Sequence, residues 1–246
     1  CGGSLITFQD VVVDVSDADI ERVGTLSDGS VVRARRGDDG YPTVYIDDPW
    51  GRRTGLLRHD RQPPAMCEPI VYVYADPPAP VRITLGDEIE VWHADPPLTE
   101  HAWTGLALRD GSVIVDGARR RSLFWDGRSV WYPSPAQGWV VRGTEVEGEL
   151  REVLPELGLR GREIDEFLEA WVPDLVGEPW VRLAFHDRAT IDAVAPLHVE
   201  PPQDAIVRVY LEATPVDGPG SRERPPLPEP PLRRGRVLVE WGGVIR

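Results

Sequence analysis

The stretch W139-VVRGTEVEGELREVLPELGLRGREIDEFLEAWVPDLVGEPWVRLAFHDRATIDAVAPLHVEPPQDAIVRV-Y210 decides the fold. Strand, cap, helix, break and strand signals follow one another in it. Trp139-Val140-Val141 reads as a strand. Thr144 and Glu147 have the spacing of a capping box, in which hydroxyl and carboxylate satisfy reciprocal backbone N–H groups. Val146, Leu150, Val153 and Leu154 then share one helical face. Pro155 kinks or ends that helix, and Gly158 can close it in a left-handed conformation. A second helix is predicted from about Arg162 to Val172, ended by Pro173. Ile164, Phe167, Leu168 and Trp171 form its apolar stripe, and Glu163, Asp165, Glu166 and Glu169 read as its solvated face. Val181–Phe185 alternates as a strand, Asp187 caps a short third helix that stops before Pro196, and Ala205–Leu211 is again a strand.

On the N-terminal side lies Pro69-Ile70-Val71-Tyr72-Val73-Tyr74. Ile70, Tyr72 and Tyr74 share one face, and Val71 and Val73 the other. Both faces are apolar, which predicts a central strand buried on both sides. Val81–Leu85 alternates and predicts a half-buried strand. Segments at 89–92, 104–108, 112–115 and 121–125 continue the series, with Asp110-Gly111 and Asp126-Gly127 as turn positions. Ala-Asp-Pro-Pro occurs at 75–78 and again at 94–97, each time after a short strand, as a repeated turn device. On the C-terminal side, residues 217–232 form a proline-rich spacer of extended polyproline character. It gives the last strand, Arg236–Trp241, the reach to return to the sheet. The expectation is an α+β fold: a β-rich antiparallel sheet or sandwich with a layer of two to three helices inserted at about 144–195. Residues 1–65 read as an N-terminal tether and a small β-rich segment. Residues 66–246 read as the main α+β domain.

Composition narrows function. The chain has 246 residues and a net charge of −14. That acidity repels phosphates and excludes nucleic acid as a partner. All 27 basic residues are arginine, so no Schiff-base, P-loop or kinase lysine exists. Cys1-Gly2-Gly3-Ser4 matches the first residues of a mature bacterial lipoprotein. Cys1 is then the lipidated residue, and a diacyl group with an N-acyl chain supplies stable anchoring. Gly2 stands where an aspartate would signal inner-membrane retention. The expected location is the cell envelope, at an outer membrane or the cell surface.

Three landmarks carry a resemblance: Cys67–Tyr74, the Trp139–Tyr210 pattern, and Val239-Glu240-Trp241-Gly242-Gly243. Together they resemble an uncharacterised bacterial family of exported or surface proteins. Its members open with a "KPVIYLYP"-like strand, carry an "LFWEG"-like hairpin (here Leu123-Phe124-Trp125-Asp126-Gly127) and close on a "VVEWGG"-like strand. The resemblance covers about residues 66–246. The chain departs from it at Ala75, where a proline is usual, and at Pro155. It implies one fold and transfers no catalytic residue.

Residues able to carry chemistry are sparse. His93, Asp95, Glu100 and His101 are the densest metal-like cluster. A seven-residue spacer does not put two histidines on one helix face or tight turn, so the cluster reads as a solvated loop. His186-Asp187 has the outline of an acid/base pair, and the acidic face of the second helix could supply paired carboxylates. No nucleophile, zinc-protease, dinucleotide or EF-hand signature occurs, and no cofactor is expected. Nine tryptophans are many, and Trp125, Trp131, Tyr132 and Trp139 form the candidate ligand-binding surface. The favoured reading is an envelope lipoprotein acting as a binding or structural module for glycan or an envelope protein. The rival is a hydrolase of cell-wall or extracellular material, working through carboxylates or a His/Asp pair.

Overall fold

The alternating valines and tyrosines of β6 (Cys67–Tyr74) set the layering of the main domain. Val71 and Val73 point into one core, and Tyr72 points into another, flanked by the partly buried Ile70 and Tyr74. The strand is covered on both faces, as its doubly apolar pattern requires. The structure, a computed structural model, describes residues 10–12, 21–25, 31–36, 42–47, 49–50, 53–56, 67–87, 89–129 and 133–246. Two compact units are present, Gly2–Gln62 and Pro63–Arg246.

In the first unit, β1 (Asp10–Val12), β2 (Glu21–Thr25), β3 (Val31–Arg36), β4 (Pro42–Asp47) and β5 (Arg53–Leu56) form an antiparallel sheet in the order β1-β5-β4-β3-β2. Arg33 Nε donates to Asp47 Oδ2 at 2.7 Å within it.

The second unit is an α+β fold of three layers. Its strands after β6 are β7 (Ala79–Leu85), β8 (Ile89–Asp95), β9 (Ala102–Ala107), β10 (Val113–Val115), β11 (Ala118–Arg120) and β12 (Leu123–Ser129). They continue with β13 (Trp139–Val141), β14 (Val181–Phe185), β15 (Leu197–Glu200), β16 (Ala205–Pro215) and β17 (Val237–Ile245). The middle layer is a seven-stranded sheet, β13-β14-β16-β17-β6-β12-β8. A five-stranded antiparallel sheet, β11-β10-β9-β7-β15, packs on one of its faces. Helices α1 (Val146–Glu156) and α2 (Arg162–Leu175) cover the other. The short α3 (Arg188–Val194) inserts Ile191 and Val194 between the sheets.

Several expectations need correction. The strands from 67 to 129 take the sandwich alternative and not the single sheet: β6, β8 and β12 join the middle layer, and β7, β9, β10 and β11 the outer one. Alternation reports burial of a face but not which sheet buries it. The central pair β16–β17 is parallel, while every other pair in that sheet is antiparallel. The cap of the first helix is shifted two residues and uses one side chain, since Arg142 offers no acceptor. A single 3₁₀ turn, Gly143–Glu145, precedes α1, and Glu145 Oε2 accepts from the Arg142 N–H at 3.1 Å. Pro173 lies inside α2, which runs on to Leu175. Both Ala-Asp-Pro-Pro segments contain a cis Asp–Pro bond, Asp76–Pro77 and Asp95–Pro96.

A parallel pair needs a crossover. Here residues 216–236 supply it without a helix, as an extended strap on the face that carries α1 and α2. It is packed rather than free. Val140 N–H donates to Ser221 O at 2.7 Å, and Leu227 packs against the helical core. Arg222 pairs with Glu145, and Arg224 with Glu149, Glu152 and Glu156 along α1. Gly158, left-handed at φ 96°, also leaves room for the strap: a Cβ there would lie 2.8 Å from Pro230 Cβ. The closing Trp-Gly-Gly has a similar cause, because a Cβ on Gly243 would lie 2.4 Å from Leu211 O.

Glu163 is the largest departure from the expected solvated helix face. It is fully buried and takes both arms of Arg233 at 2.7 Å. It also accepts from Tyr74 Oη at 2.6 Å and from the Arg160 N–H at 2.7 Å. Burial, then Glu163, pushes the Tyr74 hydroxyl up to about 12, which keeps it protonated as a donor. Removing one partner of a buried pair strands the other charge. Arg233→Ala should therefore lower unfolding free energy by about 3–5 kcal/mol in urea titrations. It should also open residues 216–236 to limited proteolysis under native conditions.

Candidate functional site

Strand β14 ends early, and this creates the main cavity. β16 runs from Ala205 to Pro215, but β14 pairs only with its second half, Leu211–Pro215. The last bond between them runs from the His186 N–H to Tyr210 O, at 3.1 Å. The chain then turns away at Asp187, whose carboxylate caps α3 by accepting from Thr190 N–H at 2.9 Å and Thr190 Oγ1 at 2.8 Å. The lane that β14 leaves is walled by the strap on one side and α3 on the other.

Two adjoining chambers occupy this region. One, of about 340 Å³, lies along Ile206–Tyr210 beneath Pro228 and Pro230, with Leu157 and Arg188 at its sides. The other, of about 610 Å³, lies between the 133–137 segment and Pro225–Pro228, over Trp139, Asp187 and Thr190. Phe185, His186 and Pro228 line both. Prolines and aromatic side chains give the cleft rigid apolar walls, with Ser134, Gln137, His186 and Arg188 as polar points. That is the general make-up of a ligand site.

His186 is buried at the junction of the chambers. Burial, reinforced by the Arg246 cation and opposed by Asp187, lowers its pKa to about 4. It is therefore a neutral imidazole at neutral pH. The neighbouring Asp187 carboxylate is engaged at both oxygens as the cap of α3.

Two members of the predicted aromatic surface, Trp125 and Trp139, are core residues. Trp125 and Trp139 are buried, at 0% and 1% exposure. Trp125 Nε1 donates to Glu240 Oε1 at 3.2 Å between the sheets, and Trp139 Nε1 donates to Glu149 Oε1 at 2.9 Å beneath the strap. Their alternating positions place them in the core, and a buried carboxylate, Glu240, and a partly buried one, Glu149, satisfy their N–H groups. Trp139 keeps a place in the cleft floor. Trp131 and Tyr132 lie outside the described residues, as does Cys1.

His93 and His101 do come together, around a hollow of about 520 Å³ with the half-exposed Trp92, Pro97, Leu98 and Glu100. His93 packs edge-on against Phe124 at 5.4 Å. Among the described residues no group of three or more His, Cys, Asp or Glu side chains could hold a metal ion.

Of the four carboxylates offered for hydrolysis, Asp165 and Glu169 are exposed around a shallow hollow with Glu147 and Arg151, outside the cleft, and the other two are engaged elsewhere. Glu163 is saturated as described above. Glu166 Oε2 accepts from Tyr72 Oη at 2.5 Å, and its other oxygen accepts from Arg121 at 3.0 Å. Tyr72 in turn accepts from Trp241 Nε1 at 3.2 Å. Burial, then Glu166, raises the Tyr72 hydroxyl far above its ordinary range.

Sequence reasoning missed the cleft because two of its walls come from segments with no periodic signal, residues 133–137 and 225–231. The available clue was length: β14 offers five alternating residues beside a longer apolar strand. Comparison with protein-family models, curated proteins and solved structures returns no match.

The histidine gives a pH prediction. Its folded-state pKa of about 4 lies below the unfolded value near 6.5. Between these values the unfolded chain binds the proton and the folded chain does not, so acid favours unfolding. Stability should fall as pH drops from 6.5 towards 4, and His186→Gln should remove that part of the slope. Urea unfolding of both proteins at pH 7 and pH 4.5 measures it. The His186-dependent difference should amount to a few kcal/mol at most.

Proposed function

We propose that the chain is a binding module of the cell envelope, with its contact site in the cleft beneath the proline strap. The observation that carries this reading is the pair of adjoining chambers sharing Phe185, His186 and Pro228. The cleft is walled by residues that lose little conformational entropy on binding: seven prolines, Trp139 and Phe185. Three buried titratable residues, His186, Arg208 and Tyr210, line it, and His186 is neutral at neutral pH.

Binding is favoured over hydrolysis for a stated reason. Glycoside hydrolysis needs one carboxyl held as an acid and another free as base or nucleophile. Of the four carboxylates on α2, Glu163 and Glu166 each face an arginine and a tyrosine hydroxyl, and Asp165 and Glu169 do not line the cleft. Attachment to a membrane through Cys1 is a separate proposal, suggested by the Cys1-Gly2-Gly3-Ser4 motif. Mass spectrometry of the protein from its native membrane fraction tests it, with a diacylglyceryl adduct on Cys1 expected and an unmodified cysteine contradicting it.

Filling the cleft tests the main proposal. Ser134 and Gln137 are exposed lining residues, so Ser134→Trp and Gln137→Trp should leave the melting temperature within about 2 °C. Fluorescently labelled protein applied to peptide and glycan arrays should lose most of its signal in both variants. Unchanged array binding with both tryptophans in place contradicts the cleft as the site.

A further inference from the structure

Building on the cleft as the binding site, we infer that it takes a polypeptide strand, which completes the lane vacated by β14 and pairs with the free edge of β16. The argument starts from backbone direction. Along a strand, successive N–H and C=O pairs point to opposite edges. Tyr210 O accepts from the His186 N–H, so even-numbered residues of β16 point towards the β14 side. Val207 and Val209 point the other way, towards the parallel partner β17. The N–H and C=O of Arg208 thus face the first chamber. Among the described residues no strand lies beside them, because β14 pairing stops at Phe185↔Leu211. An unpaired sheet edge is a template for strand addition, with main-chain bonds giving affinity and alternating side chains giving specificity.

The walls define the partner's chemistry. Residues directly opposite in an antiparallel pair share a face of the sheet. Partner residues opposite Val207 and Val209 would meet Leu157, Pro228 and Pro230, so they are apolar. The residue between them turns towards α3. There the Arg188 guanidinium holds the Ile206 carbonyl at 2.7 Å, with its Nε on Asp192. Arg188 thereby plugs the edge in the free protein, in the way natural edge strands are guarded by charge. An incoming strand must take the Ile206 carbonyl from it and offer the guanidinium a new acceptor. The middle residue is therefore Asp or Glu. From Ile206 to Tyr210 the edge spans about 13 Å at 3.3 Å per residue, enough for an apolar–acidic–apolar core with one residue on either side.

A phage-displayed library of random octapeptides, selected on the full chain, tests this. Selected peptides should share an apolar–Asp/Glu–apolar core. N-methylation should weaken binding about tenfold or more, but only at alternate residues, whose N–H groups face β16. Arg188→Glu, at an exposed position, should weaken an acidic-core peptide about tenfold and restore binding when its Asp or Glu is replaced by Lys. Tolerance of N-methylation at every position overturns strand addition. So does failure to select any peptide, including the case where glycans bind. If Ser134→Trp and Gln137→Trp still abolish binding in those cases, the cleft stands and only the strand reading falls. If selected peptides bind both tryptophan variants normally, the second chamber lies outside the site and the two-chamber cleft reading falls, while alternate N-methyl sensitivity still decides strand pairing in the first chamber.

Discussion

The parallel pairing of β16 with β17 is the constraint from which the rest of the main domain follows. It places Arg208 directly beside Glu240 in the middle of the sheet. Both side chains are buried, and Arg208 Nε donates to Glu240 Oε2 at 2.6 Å. Arg208 also reaches Asp192 on α3 at 2.9 Å, and Trp125 completes the Glu240 shell. Burial alone would depress the arginine, but Glu240, Tyr210 and Asp192 outweigh it and hold the guanidinium charged. Slipping β16 by one residue against β17 would turn Arg208 to the helical face, leave Glu240 behind, and strand each charge without its partner. The pair therefore specifies register more than it adds stability. Parallel register in turn demands a crossover, and that crossover is the strap which roofs the cleft.

The strap holds its course through arginine. Arg222, Arg224 and Arg233 meet the acidic residues of the 3₁₀ turn and of α1 and α2 in sequence, from Glu145 to Glu163. The planar guanidinium suits this task, since it can grip carboxylates with two parallel bonds while remaining partly desolvated. The acidic surplus on these elements is thus in part a docking strip. Its most buried member, Glu163, links the strap to β6 through Tyr74. Strap, helix and central strand form one polar network across the helical face of the sheet.

Local regularity in the chain is plain, and long-range pairing is not. The doubly apolar β6, the α2 stripe of Phe167, Leu168 and Trp171, and the Asp187 cap all follow from period and spacing. Glu163 was opaque because its partners, Tyr74 and Arg233, lie 89 and 70 residues away. Helical periodicity placed it beside the stripe, and nothing local signals a buried charge. Trp125 and Trp139 have the composition of a surface aromatic patch. Their burial depends on Glu240 and Glu149, which accept from their indoles across the fold. The proline-rich segment announced an extended conformation but not its contacts, because polyproline has no side-chain periodicity that selects a face. The cleft is therefore the least legible feature: its floor is a strand edge, and its walls are the least periodic parts of the chain.

The account stands on β16 having one paired and one open edge over Ile206–Tyr210. Residue-resolved amide hydrogen exchange of the free protein measures this directly. Val207 and Val209, bonded to β17, should exchange only through large-scale opening. The Arg208 amide between them should exchange at least about a hundredfold faster, through local motion of the cleft walls. Equal protection at 207, 208 and 209 would mean that the edge is already closed, and would contradict the account.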